Sequence, residues 1–246
     1  MVKTAAFALR NTKELVRDRL NLVFGIGFPI VLLLLLSLIQ SNVPVELFAI
    51  GQLAPGIAVF GLSFISLFSG FLIAKDRTSS FMLRLLTSPL TARGFLAGYT
   101  LPLLPLAVAQ MCVCFGAALL LGLSFNANIL LAILVLLPAA LLYIGIGLLC
   151  GTLFTDKQVG GVCGALLTNL SAWLSGTWFD TKLVGGVFQR IADLLPFSHA
   201  VNAGRYALAG EFSRILPDLG WVIGYAVVVF GIAVAVFHHR MRSGNV

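Results

Sequence analysis

Long apolar runs, each broken by a short polar or basic stretch, repeat along almost the whole chain. They fall near 22–40, 53–74, 98–123, 129–153, 160–179 and 219–237, each close to the ~20 residues that a helix needs to cross a bilayer. No charged residue occurs between Arg93 and Asp156, which leaves room for two spans joined by a turn at Ser124-Phe125-Asn126-Ala127-Asn128. The two-residue alternation of a barrel strand is absent, and an open sheet edge cannot sit in lipid, so every run is expected to be helical. The pattern predicts an all-α polytopic membrane protein with six transmembrane helices, organised as a single unit over 1–246.

The segments outside these runs carry their own patterns. Over 1–21, Val2, Ala5, Ala6, Leu9, Val16 and Leu20 leave Lys3, Arg10, Lys13 and Arg17 for a polar side, as in an amphipathic helix lying along a membrane surface near anionic lipid. The charged portion is too long for a signal peptide and no small-x-small cleavage site follows, so an uncleaved first span is expected. Over 75–97, Phe81, Met82, Leu85 and Leu86 share one face of a short helix while Arg84 points elsewhere, and Ser88-Pro89 stops that helix. Burying those four side chains is worth roughly 6–12 kcal/mol gross, against an association cost of ~4–15 kcal/mol. The face either docks in a partner's groove, helped by further contacts or by pairing, or lies on the headgroup layer. Over 180–218, Val187, Phe188, Ile191, Leu194 and Leu195 share a face, Pro196 breaks it, and a second helical run covers 200–209. Two short helices dipping back towards the membrane are expected there.

Composition agrees with this class and adds an orientation. Hydrophobic residues make up 59% and charged residues 10% of the chain, with mean hydropathy +1.04, which excludes an ordinary soluble domain. Of the 16 lysines and arginines, only Lys182, Arg190, Arg205 and Arg214 fall on one side of the expected topology. The positive-inside rule therefore puts both termini in the cytoplasm, at an inner or plasma membrane. The net charge of +7 is a topology signal and not a nucleic-acid footprint. Cys112, Cys114, Cys150 and Cys163 all lie inside expected spans, and Cys-x-Cys without partners is poor metal-ligand spacing, so they are read as packing residues.

No Asp, Glu, Lys, Arg or His falls within the six expected spans, which argues against ion-coupled transport. What polarity remains is mild. Ser63, Ser66 and Ser69 recur every three residues in the second span, and Asn169 and Trp173 stand one turn apart in the fifth. These side chains either line a pathway or bond helices together. Gly147-x-x-x-Gly151 and Gly160-x-x-x-Gly164 suit close packing of the fourth and fifth spans. His199 is either a structural hydrogen-bonder or, with the Asp193/Arg190 pair, the seed of an outer-face enzyme site. Phosphate-loop, H-E-x-x-H and G-x-S-x-G motifs are absent, so ATP-driven work would need another polypeptide.

Asp76-Arg77, the run Leu85-Leu86-Thr87-Ser88-Pro89-Leu90-Thr91 and Gly94-Phe95-Leu96-Ala97-Gly98 resemble the segment after the second span in ABC-2-type transporter permeases. Thr78 and Ser80 stand where that family often carries Glu and Gly. Leu195-Pro196-Phe197-Ser198-His199-Ala200 and Arg205 resemble the family's segment between the fifth and sixth spans. The resemblance implies a half-transporter that pairs with an identical or related permease and docks two copies of a separate ATPase. Phe81, Met82, Leu85 and Leu86 would then form the coupling helix. ATP and Mg would bind the partner ATPase and no cofactor would bind this chain. Export would run along a path near the second and fifth spans, where Ser63, Ser66, Ser69, Asn169 and Trp173 are the candidate lining. A membrane-embedded enzyme, and less so an ion-coupled carrier or channel, are the alternatives.

Overall fold

A computed structural model of the protein describes residues 2–43, 46–78 and 92–243. Among them there is no strand, and the helices run in this order: α1 (Val2–Arg17), α2 (Arg19–Asn42), α3 (Ile50–Arg77), α4 (Ala92–Leu120), α5 (Asn128–Leu153), α6 (156–174), α7 (Gly186–Leu194), α8 (Pro196–Ala209) and α9 (Phe212–Ser243). A single helical turn, Thr181–Val184, precedes α7. Among the described residues, five helices are long and apolar enough to cross a membrane: α2, α3, α4, α5 and α9. The protein is therefore a multi-pass membrane protein, all-helical where described.

α3 is the axis of the bundle. Of its most apolar stretch 83% is buried within the subunit, against 17% for α2 and for α9 at the periphery. Close contact with α5 explains this position. A Cβ added at Gly147 would sit 2.0 Å from the Ser66 carbonyl oxygen, and one at Gly151 2.4 Å from that of Gly70. Only glycine permits that approach, and dispersion contacts between two nearly touching backbones replace the hydrophobic drive that lipid does not supply. The glycine spacing was expected to join the fourth and fifth spans; it joins the fourth to the second. Gly160 and Gly164 also face α3, at ordinary van der Waals distance from Phe71 and Leu67.

The stretch expected as a fifth span, 160–179, is not among the five long helices. α6 is α-helical from Asp156 to Val159, π-helical from Gly160 to Leu167, and α-helical again from Thr168 to Leu174. Thr155 and Gln158 cap its start, and Gly176, with φ +67°, turns the chain after its end. Asn169, Thr168 and Ser171 also dilute its hydropathy. Its path still follows α3 for most of its length: Val159 lies against Gly70 and Thr177 against Gly56.

The bundle has two distinguishable ends. Arg10, Lys75, Asp76, Arg77, Gly151–Phe154 and Arg240 gather at one, here called the basic end. Gln52, Asn128, Gly176, Arg205 and Leu208 gather at the far end. There lie two short helices, α7 and α8, with Pro196 opening α8 and the left-handed Gly210 closing it. The apolar face of α7 does not enter the core: Val187, Ile191 and Leu194 are exposed, and only Ala192 is buried. Trp221 Nε1 and Tyr225 Oη both donate to the Leu194 carbonyl, satisfying an orphan acceptor at the helix end.

The first helix differs in detail from its expected amphipathic face. α1 buries Phe7, Ala8 and Asn11 and leaves Leu9 and Val16 exposed, as is Leu20 at the start of α2. Phe7 occupies the space over Gly98 and meets Tyr99 edge-on, with ring centroids 4.9 Å apart. The cysteine thiols are free: Cys114, Cys150 and Cys163 are buried, and Cys112 is exposed on α4.

Candidate functional site

Phe81, Met82, Leu85 and Leu86, the expected coupling face, lie outside the described residues. The helices on either side of them do not. α3 ends in Asp76-Arg77, and each of these two side chains ties the helix to a different neighbour. Asp76, 2% exposed, accepts from Arg10 Nη1 at 2.7 Å and from Tyr99 Oη at 2.9 Å. One carboxylate thus joins α1, α3 and α4, the last two being the helices that flank 79–91. Arg10 is held in turn by Glu14 at 2.6 Å and donates to Asn11 Oδ1, while Asn11 Nδ2 donates to the Gly98 carbonyl. A buried carboxylate is costly unless paired and hydrogen-bonded, and here it is both.

Arg77 turns the other way. Its Nη1 donates to the carbonyls of Gly151 and Phe154 at 2.9 and 3.2 Å, and Arg240 Nη1 donates to that of Thr152 at 2.9 Å. Two guanidinium groups therefore occupy the carbonyl-rich C-terminus of α5, where cations are favoured. Lys75 adds a 3.5 Å ion pair to Asp18. The end of α3 is thus fixed to α1, α4 and α5 just before the chain enters 79–91. The sequence marked Asp76-Arg77, but Arg10 was assigned to a lipid-facing polar side, and Tyr99 was not singled out. The signal available was an acidic residue at the end of an apolar span, which needs a partner wherever it is buried.

The candidate pathway residues fall into two groups that the structure does not bring together. Ser63, Ser66 and Ser69 are fully buried inside the subunit. Ser63 donates to the Phe60 carbonyl and Ser69 to the Ile144 carbonyl of α5, at 2.7 and 3.0 Å. Asn169 and Trp173, by contrast, lie on the surface of α6 that faces away from the bundle, next to the exposed Leu166. Asn169 Nδ2 donates back to the Ala165 carbonyl at 2.8 Å. Elsewhere an aromatic group links α2, α3 and the chain after α6: Phe28 packs on Phe60 and Phe64, and Phe60 on Trp178. Gln110, buried against Gly61, is a further polar side chain in a long helix, and no spacing in the sequence marked it.

His199 is fully engaged. Its Nδ1 bonds Asp218 at 2.5 Å and its Nε2 the Asp193 carbonyl at 2.8 Å, while Trp221 lies against the ring. Both nitrogens are occupied by structural partners, so neither is placed to move a substrate's proton. Among the described residues no ion pair joins Arg190 to Asp193.

The described residues thus form a bundle of long membrane helices packed around a buried second span, with a polar clamp at one end. Residues 45–235 match the family model described as ABC-2 family transporter protein. The chain is also similar to "Putative transport permease ycf38" of Porphyra purpurea, with 30% identity over 218 residues, covering 82% of this chain and 73% of that protein. No solved structure matches the chain. The protein belongs to the ABC-2 transporter family.

Proposed function

We propose that this chain is the transmembrane subunit of an ABC exporter whose ATP is hydrolysed by a separate ATPase, docked in two copies through Phe81, Met82, Leu85 and Leu86. The observation that carries this reading is the Asp76 junction. A push on 79–91 meets α3 and α4, already tied together and to α1, so displacement passes into the central helix and not into a loose loop. Family membership supports the ATPase partner. ATP and Mg belong to that partner.

In this reading α6 is a sixth crossing, since it follows α3 from Val159 at Gly70 to Thr177 at Gly56. Six crossings put both termini on one side, and the lysine and arginine bias makes that side the cytoplasm. α1 lies on the cytoplasmic surface of an inner or plasma membrane, and α7 and α8 re-enter on the outer side. Two permeases, identical or related, pair with Asn169 and Trp173 towards a shared path. The buried serines act within the subunit by bonding α3 to itself and to α5.

The test is co-purification. Tagged protein extracted in mild detergent should bring down an ATPase that bears a phosphate loop, and Phe81→Asp or Leu85→Asp should abolish the capture while membrane insertion survives, because a charge on an apolar docking face is costly to desolvate. Equal capture by both variants and the parent contradicts the docking assignment.

A further inference from the structure

At the far end, a cavity of about 240 Å³ opens between the start of α3, the α4–α5 turn and α8. Arg205 is the one charged side chain lining it, and Gln52, Ser124 and Asn126 supply neutral polar groups. The guanidinium is held from behind. Its Nε donates to the Gln52 carbonyl at 3.0 Å and its Nη2 to the Gly176 carbonyl at 2.9 Å. A guanidinium carries five N–H donors, and these two bonds leave three unused. Among the described residues no carboxylate makes an ion pair with Arg205. Burial pushes its pKa down to about 10, partly countered by Asp180 and then Tyr206, so it stays charged at neutral pH. A fixed, partly desolvated cation that Asp180 influences only from beyond ion-pair distance, facing a cavity rimmed by hydroxyl and amide groups, selects an anion with several acceptor oxygens. A tetrahedral phosphate suits that donor set better than a planar carboxylate, because donors converge on it from three chain segments. Ile50, Leu123 and Leu208 give the lining apolar side chains, and the nearby Phe125 is almost wholly exposed, which suits the glycerol and acyl part of a lipid.

We propose that Arg205, with Gln52, Ser124 and Asn126, forms a phosphate-binding site at the far end of the bundle, filled by a phospholipid headgroup or by free phosphate. The site stands on its own geometry and does not depend on the ATPase partnership. An anion there bridges the start of α3, the α4–α5 turn and α8, and through Arg205 the end of α6.

The full-length chain, purified in a neutral detergent, is titrated with dihexanoyl phosphatidylglycerol, with inorganic phosphate and with uncharged dihexanoylglycerol, and the thermal midpoint is followed by tryptophan fluorescence. Phosphatidylglycerol should raise the midpoint saturably, and less so at high salt. Asn126→Asp puts a carboxylate in the cavity without removing either bond that holds Arg205. It should raise the half-saturating concentration by about tenfold or more, as expected for a lost charge-assisted contact, whereas Asn126→Ala should change it little. An equal rise with inorganic phosphate alone would support the site and make free phosphate its source. The proposal is overturned if neither anion raises the midpoint, if the uncharged diglyceride matches phosphatidylglycerol, or if Asn126→Asp titrates like the parent.

Discussion

Arg10 and Asp76 lie 66 residues apart in sequence and 2.7 Å apart in space, and their coupling can be measured. A hydrogen bond to a charged group contributes about 1.5–3 kcal/mol. The near-complete burial of Asp76 argues for the upper part of that range. The side chain of Arg10, 34% exposed, calls for a discount for solvent screening, which leaves about 2 kcal/mol. That corresponds to about 30-fold in the equilibrium between docked and lifted α1. Lys13 and Arg17 lie on α1 and are exposed, so trypsin cuts there once the helix opens, at a rate that tracks the open population. Arg10→Gln and Asp76→Asn should each speed cleavage at these sites by about 30-fold, and the double variant should be little faster than either single one. Multiplicative effects in the double variant, or unchanged rates in both singles, would refute the idea that this pair fastens α1 to the entrance of 79–91.

Other positions give independent checks. Gly151→Ala places a methyl 2.4 Å from the Gly70 carbonyl oxygen and should cost about 1–3 kcal/mol by overpacking, whereas Gly220→Ala, with nothing within 4 Å, should leave the thermal midpoint unchanged. The His199 pKa is raised, first by its bond to Asp218 and despite burial. Its stabilisation is therefore full below about pH 6.5 and is lost as pH rises through the higher folded value. The excess stability of the parent over His199→Gln should accordingly shrink between pH 6 and pH 9, and a gap that widens with pH contradicts the assigned pair. Tyr99→Phe removes one donor from Asp76 but keeps Arg10, and should speed trypsin cleavage of α1 less than Arg10→Gln does.

The helical class and the positions of five long helices were legible because lipid imposes one rule on every apolar run: backbone groups must be satisfied within the segment. The apolar face ending at Leu195, the break at Pro196 and the helical run after it likewise marked the places of α7 and α8. Pairing between helices was not legible. Gly147 and Gly151 announce a close contact, yet glycine spacing carries no information about which helix fills the groove, and α3 fills it. Serines at three-residue steps look alike whether they face a path or a neighbour, and the Ser69 bond to Ile144 exists only once α5 is packed. Asn169 and Trp173 could be picked out as polar groups at bilayer depth, but their outward direction depends on how α6 turns through its π-helical stretch. Arg205 was noticed only in the count of basic residues and through resemblance, since the cavity that it lines emerges when three distant segments meet.

The most direct test places Asn169→Cys in a background lacking Cys112, Cys114, Cys150 and Cys163, in the complex with its ATPase, and follows reaction with a water-soluble thiol reagent. Labelling should differ in rate between the ATP-bound and nucleotide-free states, because nucleotide on the partner shifts the populations of the path. The difference should vanish when Leu85→Asp is added. Ser66→Cys, fully buried, should stay unreactive in both states. Labelling of Asn169→Cys at one rate, whatever the nucleotide and with or without Leu85→Asp, would contradict the claim that ATP hydrolysed on another chain moves this one.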